Sequence, residues 1–200
     1  KKLNPEPFEQ DSNFMVKRGN DIYDQFYSNI YDYLTLDRIR NKFEIDTITK
    51  YAPLTEDSSV LDIGCGIGNT LGDIKNTKKT DNISGLDLSS DMIKKAKSKY
   101  PDITFKCGNA LNDYSYRPLS FTHILCLYFT IYEIQNKERF FQNTNSWLRP
   151  GGFLVVHMVE REKFDFVLPP SNLSPSILWG GGSNNKQLQG QTKIEFAEFT

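Results

Sequence analysis

Two rhythms of apolar residues run along the chain. Short apolar-rich runs occupy residues 60–63, 83–88, 103–107, 121–129 and 153–156, and another covers 193–199. Such runs predict strands, and the nearly unbroken apolar stretch 121–129 suits a strand covered on both faces. Elsewhere apolar positions recur at three- and four-residue steps, the period of a helix. Ile22, Tyr23, Phe26, Tyr27, Ile30, Tyr31, Tyr33 and Leu34 predict one amphipathic helix. A second runs from Leu36 to about Tyr51, where Ala52-Pro53 stops it. Leu71 and Ile74 fit a short helix, followed by a polar loop over 76–82. Residues 91–100 put Met92, Ile93, Ala96 and Tyr100 on one face and lysines mainly on the other, a solvated side. Phe140, Phe141, Trp147 and Leu148 form the buried stripe of the next helix.

Strand and helix signals alternate through residues 58–159, which predicts an α/β fold: a doubly wound, mostly parallel sheet with helices on both faces. Ligands of such sheets bind at the carboxyl ends of the strands. The polar, proline-bearing stretch 1–20 reads as a loose N-terminal arm, 21–57 as a helical segment and 58–160 as the core. Residues 161–192, rich in proline, serine and asparagine and carrying Gly180-Gly181-Gly182, read as a long loop or insertion, and 193–200 as the start of a C-terminal strand.

Length and charge narrow the function classes. Two hundred residues suit one domain with a sizeable core. Basic and acidic side chains nearly balance, 24 against 25, so nothing global points to nucleic acid or an anionic membrane. No apolar run approaches a membrane span, and no secretory leader is expected at the N-terminus. Cys65, Cys107 and Cys126 are odd in number and read as buried thiols rather than a disulfide frame or a zinc site, which places the chain in a reducing, cytoplasmic compartment.

The stretch that carries chemistry is 60–69, a strand running into Asp62-x-Gly64-x-Gly66-x-Gly68. Glycines at alternate positions tolerate positive φ and let backbone approach a ligand, and the following helix points free N–H groups back at it. A dinucleotide fingerprint would need glycine where Asn69 stands. Asp87 closes the second strand nineteen residues after Gly68, close to the spacing of a carboxylate that binds ribose hydroxyls, while Ser89 and Ser90 are better placed to cap the next helix.

The glycine pattern resembles the first motif of the class I S-adenosylmethionine-dependent methyltransferases, and Leu148-Arg149-Pro150-Gly151-Gly152 before a buried strand is a second resemblance to that family. The likeness covers roughly residues 20–160. It implies S-adenosylmethionine as cofactor, held by Asp62, Gly64, Gly66, Gly68, Asp87, Leu88, Met92, Asn109, Ala110 and Leu127. It also implies that 21–57 is a helical lid, with Tyr27 or Tyr31 over the cofactor. Where this chain has Asn109 the family usually has an acidic residue, and asparagine keeps one acceptor and gains a donor. A sheet of this family ends with a sixth and a seventh strand; sequence for the seventh is lacking, so the chain is expected to be a fragment.

The expected function is methyl transfer to an acceptor, most simply a small molecule, with no base assigned. Tyr128, Tyr132, Glu133 and His157 stand near strand ends, but none is in a recognisable motif; His157 reads better as a packed strand histidine, and mid-strand His123 is weaker still. An Asn/Asp-Pro-Pro-aromatic motif is missing after the fourth strand, and Pro169-Pro170 comes too late to replace it, which disfavours amino-methylation of DNA bases. The alternative is a non-catalytic protein of the same fold serving as a scaffold. An NAD(P)-dependent oxidoreductase is disfavoured by the glycine spacing. Acceptor and oligomeric state are not encoded in these motifs.

Overall fold

The computed structural model describes residues 17, 19–35, 38–78, 80–159 and 192–198. Their strands β1 (Val60–Ile63), β2 (Ile83–Asp87), β3 (Thr104–Cys107), β4 (Phe121–Cys126), β5 (Leu148–Val159) and β6 (Thr192–Glu198) form one sheet of order β3-β2-β1-β4-β5-β6. β1 to β5 are parallel, and β6 runs antiparallel to β5, with Val155 opposite Phe196. Strand order reverses at β1, which is flanked by β2 and β4, so a crevice opens at the carboxyl ends of these strands.

Alternate residues of each strand feed two separate cores. Val60, Leu125 and Val155 face Ile45 and Ile48 of α2 (Arg38–Tyr51), Leu71 and Ile74 of α3 (Asn69–Lys78), and Ile93 and Ala96 of α4 (Ser90–Lys99). Leu61, Ile63, Ile124, Cys126, Leu154 and Val156 face the other way. They meet Ile131 of α5 (Thr130–Glu133) and Phe140 and Trp147 of α6 (Lys137–Trp147). Ser89 caps α4, its hydroxyl accepting from the Met92 N–H, as expected from the serines there. The remaining helix, α1 (Gln25–Thr35), packs against α4.

Several boundaries differ from the sequence reading. Asn76, Thr77 and Lys78, expected in the loop 76–82, belong to α3, where the Thr77 hydroxyl donates to the Asp73 carbonyl. β4 stops at Cys126 rather than 129, since Tyr128 and Phe129 take left-handed backbone, φ 50° and 66°. Phe141 is 40% exposed rather than part of the buried stripe, and Leu148 opens β5 instead of closing α6. The Pro150-Gly151-Gly152 turn lies inside extended β5; Gly151 has φ 74° and the pairing register with β4 shifts between Phe121 and His123. Cys65 and Cys126 are buried, but Cys107 is exposed, because β3 is the edge strand. Apart from Lys17, Gly19 and Asn20, the N-terminal arm lies outside the described residues, as does the loop or insertion up to residue 191.

Candidate functional site

β1 delivers the chain to the glycine turn, where Gly64, Gly66 and Gly68 have φ of 74°, 53° and 84°. These left-handed angles suit glycine and strain other residues. The end of β2 pins the turn. The N–H groups of Gly64 and Cys65 donate to the Leu86 carbonyl at 2.7 and 3.2 Å, and the Gly66 N–H donates to Asp87 Oδ2 at 2.8 Å. Space is as restrictive as angle: a Cβ at Gly64 would lie 2.5 Å from Thr130 Cγ2, and one at Gly68 would lie 2.6 Å from the Phe105 ring.

In front of the turn is a cavity of about 360 Å³. Gly64, Gly66, Asp87, Leu88, Met92, Asn109 and Ala110 line it. Three other residues of the expected set do not. Asp62 shares the sheet face of Val60 and is 4% exposed, Gly68 sits under Phe105, and Leu127 is buried in the core beside α2 and α3. Asn109 is at the rim, and its side-chain oxygen accepts from the Leu111 N–H at 2.9 Å.

Asp87 is the polar centre of the cavity. Oδ2 accepts from Gly66 and Oδ1 from the Ser89 N–H, both at 2.8 Å. A carboxylate has about four acceptor sites, so two amide donors leave capacity for two more bonds. Burial raises its pKa, and the Ser89 and Gly66 amides oppose the shift. Asp62 is raised well above the usual carboxylate range by burial, then by the charges of Asp87 and Glu44. A carboxylate raised on folding contributes stability that is full below the unfolded value of about 4 and is lost as pH rises through the folded value. The free protein should therefore gain thermal stability as pH falls from 7 toward 5. Asp62→Asn should raise the midpoint at pH 7 and flatten that gain; equal slopes for the two proteins in a pH series of melting curves would contradict it.

The cavity is roofed by α1 and the residues before it. Tyr23, Tyr27 and Tyr31 form an edge-to-face column with ring centroids 5.5 and 5.7 Å apart. Tyr23 and Tyr31 line the cavity, Tyr31 facing Gly66, and Tyr27 does not. Asp32 tethers α1 from outside, accepting from Lys99 Nζ at 2.6 Å and from Asn69 Nδ2 at 3.0 Å. At the other end the Ser89 hydroxyl donates to the Tyr23 carbonyl and the Tyr23 hydroxyl donates to Glu133 Oε1 at 2.6 Å. Tyr23 is a lining residue that sequence reasoning missed; its signal was the four-residue tyrosine step that it shares with Tyr27 and Tyr31.

Opposite lies the turn after β4. Tyr128 lines the cavity and its hydroxyl donates to Asn41 Oδ1, while Phe129 turns away onto His157, centroids 4.4 Å apart. His157 and Glu44 are both buried, Nδ1 to Oε1 3.6 Å, beneath this turn. The Tyr132 hydroxyl accepts from the Val159 N–H. Of the four residues near strand ends, Tyr128 and Glu133 thus reach the cavity, and Tyr132 and His157 do not. Among the described residues no His, Cys, Asp or Glu group could hold a metal ion, and no helix is long and apolar enough to cross a membrane.

A family profile described as a methyltransferase domain matches residues 60–152. The ubiquinone/menaquinone biosynthesis C-methyltransferase of Campylobacter jejuni is 31% identical over 137 residues, covering 62% of this chain and 57% of that protein. A putative S-adenosylmethionine-dependent methyltransferase from Methanococcus maripaludis superposes with a TM-score of 0.62 at 18% identity, covering 72% of this chain and 67% of that one. Phosphoethanolamine N-methyltransferase 2 of Haemonchus contortus, solved with phosphomonomethylethanolamine and S-adenosylhomocysteine, gives a TM-score of 0.61 at 21% identity over 72% of this chain and 36% of that one. The chain spans between 38% and 57% of the length of three curated relatives that it matches.

Proposed function

We propose that this chain, whose residues 60–152 match a methyltransferase-domain profile, is a class I S-adenosylmethionine-dependent enzyme that moves the methyl group of S-adenosylmethionine to a small-molecule acceptor. The observation that carries the reading is Asp87. Its carboxylate holds the glycine turn through Gly66, faces the cavity and keeps acceptor capacity for the ribose diol. The cavity volume of about 360 Å³ falls within the range of small-molecule sites, ~300–1,000 Å³.

In this reading Met92 and Leu88 pack against the adenine side, with Asn109 and Ala110 at its edge, and the backbone at Gly64 and Gly66 runs along the methionine portion. Tyr31 closes over Gly66 and keeps water out, held there by the Asp32 tether. Asp62, Gly68 and Leu127 serve by shaping the turn and the strand end from behind. Bound S-adenosylmethionine supplies a sulfonium methyl that is already electrophilic, so the protein's part is alignment of the acceptor. A cytoplasmic setting is supported by Cys65, Cys107 and Cys126, which are free thiols.

Thermal unfolding with S-adenosylmethionine, S-adenosylhomocysteine and NAD tests the reading. A ligand at a hundred times its Kd stabilises the folded state by about 2.7 kcal/mol. For a domain of this size each kcal/mol raises the midpoint by roughly 2–4 °C. The first two ligands should raise it by roughly 5–10 °C and NAD should not. No shift with either adenosyl ligand would contradict the reading.

A further inference from the structure

We propose that the acceptor is an amine, met as its alkylammonium form, and that Glu133 with Tyr23 is the group that binds and orients it. The inference rests on the methyltransferase reading and adds the substrate class.

Among the described residues lining the cavity, one acidic side chain stands besides Asp87. That is Glu133, at the last position of α5, the helical turn that begins against Gly64 through Thr130. Asp87 is committed to the glycine turn and lies on the β2 side. Glu133 enters from the β4 side, across the crevice from Asp87. Its Oε1 accepts from the Tyr23 hydroxyl at 2.6 Å, a contact between residues 110 apart in sequence. Oε2 has no hydrogen-bond partner among the described residues and is left for a ligand. The surrounding wall is phenolic: Tyr23, Tyr31 and Tyr128 line the same space. A carboxylate beside aromatic rings favours a cation, since both ring faces and carboxylate oxygens are negative. Among the described residues lining the cavity there is no lysine, arginine or histidine, so an anionic acceptor would find repulsion from Asp87 and Glu133 and no described partner.

Glu133 binds and orients the amine, its Oε1 held by Tyr23, and the balanced step is as follows. The ammonium loses one proton to solvent, and a remaining N–H donates to Oε2. The nitrogen lone pair forms the N–C bond to the methyl carbon while the C–S pair stays on sulfur. The products are a methylated ammonium, S-adenosylhomocysteine and the proton already released. Tyr23 is a positioning residue, holding Oε1 so that Oε2 faces the cavity.

The test uses the full chain at saturating S-adenosylmethionine. Primary alkylamines, amino alcohols and amino sugars are compared with matched alcohols and carboxylates. Release of S-adenosylhomocysteine and mass spectrometry of the product are the readouts, and S-adenosylhomocysteine affinity is measured in parallel by calorimetry. Methylation at nitrogen by one or more amines is expected. Glu133→Gln should lower kcat/KM for the amine roughly 10- to 100-fold, mostly through KM, while S-adenosylhomocysteine affinity changes by less than about threefold, within ordinary variation of an exposed site. Tyr23→Phe, which keeps the ring, should cost roughly three- to tenfold. Glu133 is exposed, so neither fold nor melting midpoint should suffer from Glu133→Gln. Cofactor binding with turnover only on alcohols or carboxylates, or with no amine turnover, overturns the amine proposal and leaves the methyltransferase reading standing. Equal losses of cofactor and amine affinity in Glu133→Gln would assign Glu133 to the cofactor and also overturn it. Absence of cofactor binding removes both.

Discussion

Asp87→Ala is expected to weaken S-adenosylmethionine binding by roughly a hundredfold. The estimate follows from the bonds lost: a hydrogen bond to a charged group contributes about 1.5–3 kcal/mol, and the ribose diol offers two. Even a total near 3 kcal/mol corresponds to about two decades in Kd. The mutation also frees the Gly66 and Ser89 N–H groups, so the glycine turn loses one of its bonds to β2 while those of Gly64 and Cys65 to the Leu86 carbonyl remain. Fold stability should change less than binding. Removing those bonds destabilises, but removing a carboxylate whose pKa burial has raised offsets part of it. Asp87→Asn, which keeps one acceptor oxygen, should fall in between. Calorimetric titration of S-adenosylhomocysteine into the three proteins checks the order, and an unchanged Kd for Asp87→Ala would remove the ribose from this site.

Gly64→Ala should be the more damaging change to the fold. At φ 74° an alanine costs about 1–2 kcal/mol of backbone strain. Its Cβ would stand 2.5 Å from Thr130 Cγ2 and 2.6 Å from Oγ1, a clash at the start of α5 that adds roughly 1–3 kcal/mol. Together these give a loss of roughly 2–5 kcal/mol. Relieving the clash also shifts the Gly64 backbone that runs along the methionine portion, so cofactor affinity should drop more than tenfold, as in other sites displaced by about an ångström. Gly151→Ala is the control. Gly151 has the same φ of 74° but nothing within 4 Å of an added Cβ, so it should show the backbone strain alone and leave binding intact. Urea unfolding that found the two variants equally stable would refute the steric part of the argument.

What could be read from the sequence was local. The βα turn at 60–69, Asp87 at the end of β2 and the Ser89 cap all depend on neighbours within a few residues, and each is found in its expected element. The parallel order of β1 to β5 followed from the alternation of strand and helix signals. Side-chain direction was harder. Tyr27 and Tyr31 are a helical turn apart and look alike in sequence; Tyr31 is the one in the cavity, on a helix whose position Asp32 fixes through Lys99 and Asn69 on two other helices. Asp62 alternates with Leu61 and Ile63, and that parity turns it toward α2, away from the cavity. Leu127 was expected at an open strand end, but the left-handed pair Tyr128 and Phe129 bends the chain so that Tyr128 lines the cavity instead. The Tyr23–Glu133 hydrogen bond joins residues 110 positions apart, which no local pattern encodes.

The most direct test of the central claim is a crystal structure of this chain with S-adenosylhomocysteine. The account requires the ligand in the cavity in front of Gly64 and Gly66, both ribose hydroxyls within about 2.6–3.2 Å of the Asp87 carboxylate, and the Tyr31 ring over the glycine turn. A ligand bound elsewhere, or one in the cavity whose ribose makes no contact with Asp87, would contradict it.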